Sequence, residues 1–222
     1  MKPLDLPFCH TIKKITTMKM QKVILPVTVL LLMFAANSFS QINQSDRDAL
    51  IYTMQEEKVA NNFYMAMQSL YGINVFENIS KAETMHMKHV KTLLDDFGID
   101  NPVTGNYEAA GSFMDAGLEK MYNDMISNGN ISVTDALKES AKFEEMDIRD
   151  LKAFVESTQN NSIESTLNML INASGNHLRA FVKNLKTRGI EYTPQYLSQE
   201  EFNGIISSSG KSRGNGNCIY SK

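Results

Sequence analysis

The chain has 222 residues, a formal net charge of −3, 42% hydrophobic residues and 21% charged residues. That suits one globular domain of ordinary size plus tails, with enough apolar content for a core. No basic patch with interleaved aromatics occurs, which argues against nucleic acid as a partner; two cysteines in the whole chain argue against a disulfide scaffold.

The first element in chain order is a secretion signal. Met18-Lys19-Met20-Gln21-Lys22 is basic, residues 23–35 are almost wholly apolar, and small Ser38 and Ser40 follow. These are the basic, apolar and cleavage regions of a signal peptide. The apolar run is short of the roughly 20 residues a membrane span needs, so an uncleaved anchor is the weaker alternative. Residues 1–40 are therefore expected to be removed after Ser40, with 1–17 lying upstream of a start at Met18. The mature chain keeps 17 basic and 24 acidic residues, a net charge of −7. Its expected location is secreted or periplasmic, with no membrane association after cleavage. Cys218 is then its one cysteine, so no internal disulfide forms.

Five helices are predicted within a domain spanning 41–190. Each follows a polar residue with an acid three positions later, the pattern of a capping box. Ser45 and Asp48 open the first helix, over 46–71, and Asn74 and Glu77 open the second, over 75–97. Gly98, Pro102, Gly105 and Gly111 mark 98–112 as a loop. Ser112 and Asp115 open a short helix over 113–128, Ser132 and Asp135 a fourth over 133–158, and Asn161 and Glu164 a fifth over 162–188. Gly98 and Gly189 stand where helix-terminating glycines belong. Residues 191–222 are expected to be a flexible tail, rich in Ser, Gly and Asn beyond Ser207. Tight turns at Gly72 and at Asn160-Asn161 make antiparallel neighbours of the first two and last two long helices. The stretch between the pairs can run the length of a bundle. The fold class is all-α: a four-helix bundle with a long crossover and one extra short helix.

Apolar positions spaced by three and four share one helix face. In the first helix they read Leu50, Met54, Glu57, Ala60, Tyr64, Met67; in the second, Phe76, Ile79, Glu83, His86, Val90, Leu94, Phe97. In the fourth they read Leu137, Ala141, Glu144, Ile148, Leu151, Val155; in the fifth, Leu167, Leu170, Ser174, His177, Phe181, Leu185. Each stripe carries an acid or an imidazole near its middle. Buried carboxylates without partners are costly, and a bound cation removes that cost. Carboxylate with imidazole suits iron, manganese or zinc. Glu56 stands beside Glu57 and Glu145 beside Glu144, so the register of both acids stays open. His89 falls off the stripe and is expected at the surface. Met65/Met67 and Met85/Met87 diverge on a helix, which fits core filling better than copper binding.

The pattern resembles the ferritin-like superfamily, in which successive helices supply Glu, Glu-x-x-His, Glu and Glu-x-x-His. More narrowly, it is similar to a prokaryotic ferritin-like domain family of unknown function. The resemblance rests on Glu56-Glu57-Lys58-Val59-Ala60, Phe76-Glu77-Asn78-Ile79 with Glu83-Thr84-Met85-His86-Met87, Glu144-Glu145-Met146-Asp147-Ile148 and Asn176-His177-Leu178-Arg179-Ala180-Phe181. It covers about residues 46–188. It implies a centre of one or two ions, iron first with manganese or zinc as alternatives. Its ligands would be Glu57, Glu83, His86, Glu144 and His177, with Glu83 bridging. The fifth helix departs from the pattern: Ser174-x-x-His177 replaces Glu-x-x-His, and Asp147 or Glu145 is left to compensate. The function expected is an exported metal-binding bundle, with Fe(II) oxidation or peroxide reduction as its activity. The alternative is a non-catalytic metal-binding or structural bundle with a degenerate site. Homo-oligomerisation is left open by the sequence.

Overall fold

The computed structural model describes residues 42–208. The signal-peptide expectation for 1–40 and the tail beyond 208, Cys218 included, lie outside the described residues. Six α-helices and no strand occur among the described residues. They are α1 (Gln44–Tyr71), α2 (Asn74–Asp96), α3 (Ala116–Gly129), α4 (Val133–Ser157), α5 (Asn161–Lys186) and α6 (Gln199–Ser207), with a 3-10 turn at Gly105–Tyr107. None is long and apolar enough to cross a membrane.

The helices sit within a few residues of their expected positions, but most are capped by other residues than expected. Asn43 caps α1 by accepting the Asp46 N–H, Asp115 caps α3, and Asn160 caps α5. Helix α2 opens at Ile73 with no side-chain cap. Only Ser132, at the start of α4, caps where the pattern placed it. Where several polar residues cluster before a helix, the cap is whichever one takes extended backbone while its side chain reaches the N–H groups of the first turn.

Helix α1 packs along α2, and α4 along α5; contacts of α1 with α4 and of α2 with α5 join the two pairs. The turn between α1 and α2 is two residues long. Gly72 makes it in the left-handed region, at φ 64°, with its N–H on the Gln68 carbonyl. Helix α3 lies against α1 and α4. Its last residue, Gly129, comes so close that an added Cβ would sit 2.9 Å from the Phe63 ring and 2.8 Å from Met67 Sδ.

The core falls into two apolar clusters. One gathers Phe63, Tyr64, Phe76, Ile148 and Phe181; the other gathers Leu50, Met54, Val90, Leu94, Leu151 and Leu170. In each long helix the polar stripe positions lie between residues of the first cluster and residues of the second. The apolar layers therefore enclose a polar one.

The C-terminal segment departs from expectation. Residues 191–208 are not a loose tail: Leu197 and Phe202 are buried in the first cluster, and α6 packs on α5. A reciprocal capping box of Ser198 and Glu201 starts α6. A buried carboxylate on α4, Glu145, holds the strap that leads to it. Its Oε2 accepts the backbone N–H groups of Gln195, Tyr196 and Leu197, each at 2.9 Å, and its Oε1 accepts the Tyr192 hydroxyl at 2.6 Å.

Candidate metal centre

The five residues singled out from the stripes meet in the polar layer. Glu57 comes from α1, Glu83 and His86 from one face of α2, Glu144 from α4 and His177 from α5; none is more than 8% exposed. His86 Nδ1 lies 2.6 Å from Glu83 Oε2 and 3.2 Å from Glu57 Oε2. His177 Nδ1 lies 2.9 Å from Glu83 Oε1 and 3.6 Å from Glu144 Oε1. Glu83 thus faces one imidazole with each oxygen. The two rings stack with centroids 5.3 Å apart.

Two triads result: Glu57, Glu83 and His86, and Glu83, Glu144 and His177. Within each, the ligand atoms all lie within 4.8 Å of one another. The donors are not satisfied by each other. Glu57 Oε1 has no hydrogen-bond partner, and His177 Nδ1, although near Glu83, is not aligned for a hydrogen bond. The residues therefore fit a cation: mixed oxygen and imidazole donors, converging, buried and partly orphaned.

Electrostatics points the same way. Burial pushes the Glu57 carboxyl up to about 8, with the Glu83 charge adding to it and His86 opposing. Burial would lower His86, but hydrogen bonds and charges from Glu57 and Glu83 outweigh it and lift the imidazole to about 10. His177 is likewise raised, by Glu83 and Glu144 against burial. Glu83, with an imidazole on each oxygen, is held well below the usual carboxylate range although burial opposes this. Without a cation, both imidazoles hold protons to offset the acids. A metal ion held there would take over that role with the rings neutral.

Aromatic residues cover the side of the layer toward the first cluster. The Tyr64 hydroxyl donates to Glu144 Oε1 at 2.5 Å, and its ring centroid lies 5.1 Å from that of Phe181. Tyr64 is fully buried, so the phenol both excludes water and fixes the rotamer of a ligand.

The open registers are settled by both acids of each pair being buried. Glu56 is 0% exposed beside Glu57, and Glu145 is 0% exposed beside Glu144. Glu145 turns to the C-terminal strap and is not near the imidazoles. Asp147 accepts the Ser174 hydroxyl at 2.5 Å, so an acid from α4 occupies the side on which α5 offers only a serine. His89 is exposed, as expected. Lys58 was not anticipated. It is 2% exposed and donates to Asn62 Oδ1 and to the carbonyls of Ala109 and Ser112 at 3.0, 2.8 and 3.1 Å, tying the crossover to α1. A buried lysine off the stripe has no signature in helical spacing. The C-terminal strap did leave one, since Ser198 and Glu201 keep capping-box spacing.

A helical bundle with a buried carboxylate and imidazole layer suited to a cation is the class of protein that fold and site define. The chain belongs to the family described as "Uncharacterized protein domain (DUF2202)", which matches residues 46–209. It is 38% identical over 168 residues to the uncharacterized protein MJ0754 of Methanocaldococcus jannaschii, across 76% of this chain and 90% of that one. It is also similar to the crystal structure of hypothetical protein MJ0754 from Methanococcus jannaschii, with a TM-score of 0.75 and 37% identity, over 77% of this chain and 97% of that chain.

Proposed function

We propose that the protein is an exported, ferritin-like metal protein whose centre holds two ions, iron in the first place, with Glu83 shared between them. The observation that carries this reading is the pair of ligand triads meeting at Glu83. Glu57, Glu83 and His86 would hold one ion, and Glu83, Glu144 and His177 the other. Two Fe(II) ions held by these residues would supply the two electrons that, with two protons, reduce a peroxide to two waters. The chain supplies the surroundings. The imidazoles give up their protons on loading, Tyr64 orients Glu144, and the Tyr64, Phe76 and Phe181 layer keeps water from one side. Export rests on the signal pattern of residues 18–40, and an intact mass retaining residues 23–35 would refute it.

A second reading, metal holding without turnover, is favoured by burial. His177, the most exposed of the five, is only 8% exposed, which leaves little room for a substrate. Elemental analysis of the purified mature protein at limiting metal tests the centre itself. His177→Ala should lower metal affinity about 10–100-fold, the usual cost of losing a ligand or its support, whereas exposed His89→Ala should not. Equal metal content in the two variants would overturn the reading. Peroxide consumption by the Fe(II)-loaded protein separates turnover from holding.

A further inference from the structure

A cation bound for a buried centre has to pass between helices, and the four seams of this bundle are not alike. Helices α1 and α2 pack closely, as do α4 and α5. The seam between α1 and α4 is looser but covered. Helix α3 packs on both, and Gln55 and Lys58 of α1 bind the crossover at Asp115, Ala109 and Ser112. The seam between α2 and α5 is the loosest of the four. Helix α6 does not close it. Ile205 of α6 meets α5 at Gly175 and Arg179, each two residues from His177 and so on the opposite side of the helix. Among the described residues, no helix bridges α2 and α5 as α3 bridges α1 and α4.

Both imidazoles stand at this open seam. Their rings, one from each helix, stack across it with centroids 5.3 Å apart. His86 and His177 are also the most exposed of the five ligands, at 5% and 8%, whereas no carboxylate exceeds 3%. The contact that the centre has with solvent therefore runs past the rings.

Helical register names the residues beside them. On α2, Ala82 and His89 are seven apart and share a face next to His86; Ala82 is half-buried and His89 exposed. On α5, Ala173 and Ala180 are likewise seven apart next to His177, and both are half-buried. These faces meet, because one groove is lined by Val75, seven before Ala82, with Asn78 and Ile79 of α2 and Ala180, Lys183 and Asn184 of α5. Beside the imidazoles the seam thus presents the methyl groups of Ala82 and Ala173. A seam with few apolar contacts opens locally at low cost, and here no large side chain has to leave.

We propose that the α2–α5 seam is the route by which divalent cations enter and leave the Glu/His centre, with Ala82 and Ala173 as its throat. The route rests on the reading of that centre as a metal site. It adds which side is open and which residues set the rate of passage.

The test is the rate of Co²⁺ uptake by the metal-free protein and of its release to excess EDTA, both followed by stopped-flow visible absorption. Ala82→Leu and Ala173→Leu should each slow both rates by about tenfold or more, since every passage then displaces a half-packed leucine. Co²⁺ bound per chain at equilibrium should stay at the wild-type value. A barrier on the route slows entry and exit alike and leaves their ratio unchanged, whereas damage to a ligand changes the ratio. Ala66→Leu, the same change at a half-buried position of α1, should leave both rates as in wild type. If a leucine variant melts far below wild type, Ala82→Gly and Ala173→Gly take its place and should load and release faster, by one common factor. Leucine variants that load at the wild-type rate, or that slow uptake no more than Ala66→Leu does, overturn the route while the centre stands. Leucine variants that lose affinity with release unslowed overturn it too, as do glycine variants that load more slowly. A wild type that binds no more Co²⁺ than His177→Ala at limiting metal overturns the centre, and the route with it.

Discussion

Replacing Glu145 with alanine tests how the C-terminal strap is held. The carboxylate accepts three backbone N–H groups at 2.9 Å and the Tyr192 hydroxyl at 2.6 Å while fully buried. Hydrogen bonds to a charged group contribute about 1.5–3 kcal/mol each, so four set an upper figure of roughly 6–12 kcal/mol. The strap can swing into water and satisfy its N–H groups there, so the full figure is not lost. The loss is capped by what docking contributes, including burial of Leu197 and Phe202. Breaking a buried charged network by removing one partner costs about 3–5 kcal/mol, and we expect Glu145→Ala to fall in that range. At about 2–4 °C per kcal/mol for a domain of this size, Tm should drop by roughly 6–20 °C. Hydrogen exchange should accelerate over residues 192–207 before it does in α1, α2, α4 and α5. Glu145→Gln, which keeps one acceptor oxygen, should lie between wild type and alanine. A Tm within about 2 °C of wild type, with strap protection unchanged, would refute the reasoning.

Metal-free protein should lose stability as pH rises from about 6 to about 9. Glu57, raised by burial to about 8 from 4.5, and His86, lifted by its acids against burial to about 10 from 6.5, both keep protons in the folded state that the unfolded chain has released. The folded state then binds more protons, so a melting series in which Tm rises over this window would contradict the assignment. Because metal binding needs those protons removed, Mn²⁺ should flatten the slope. Tyr64→Phe deletes the 2.5 Å hydrogen bond to Glu144 and should cost about 1.5–3 kcal/mol in denaturant unfolding, with metal content retained; loss of metal would make the phenol more than a support. Lys58→Met removes three hydrogen bonds to Asn62 and the crossover and should speed limited proteolysis between 100 and 115 while leaving the melting of the long helices near wild type. Equal cleavage rates would show that Phe113 packing alone holds the loop.

Much of the site was legible because helix periodicity is local. Glu57, Glu83, His86, Glu144 and His177 each interrupt an apolar stripe at three-and-four spacing, and a stripe read from one helix says which side chains face inward. All of the stripe positions from Leu50 to Met67 and from Leu167 to Leu185 are buried. Periodicity could not say which helices face one another. It therefore left open whether Asp147 or Glu145 serves the side where Ser174 stands. Two residues along a helix rotate a side chain by about 200°, so Glu145 and Asp147 point to different neighbours. Only the packing of α4 between the strap and α5 shows which is which.

The sequence by itself determined five of the helices, their inward faces and the stripe residues Glu57, Glu83, His86, Glu144 and His177, because each depends on residues a few positions apart. The tertiary structure decided what those faces meet. It brought Glu83 between two imidazoles from different helices, left the oxygens of Glu56 without a partner, and turned residues 191–208 from an expected tail into a strap pinned by Glu145. Those outcomes depend on contacts between residues far apart in the chain, such as Tyr64 with Glu144 and Glu145 with Leu197. Local propensity carries no information about such contacts, and burial of the two apolar clusters selects them.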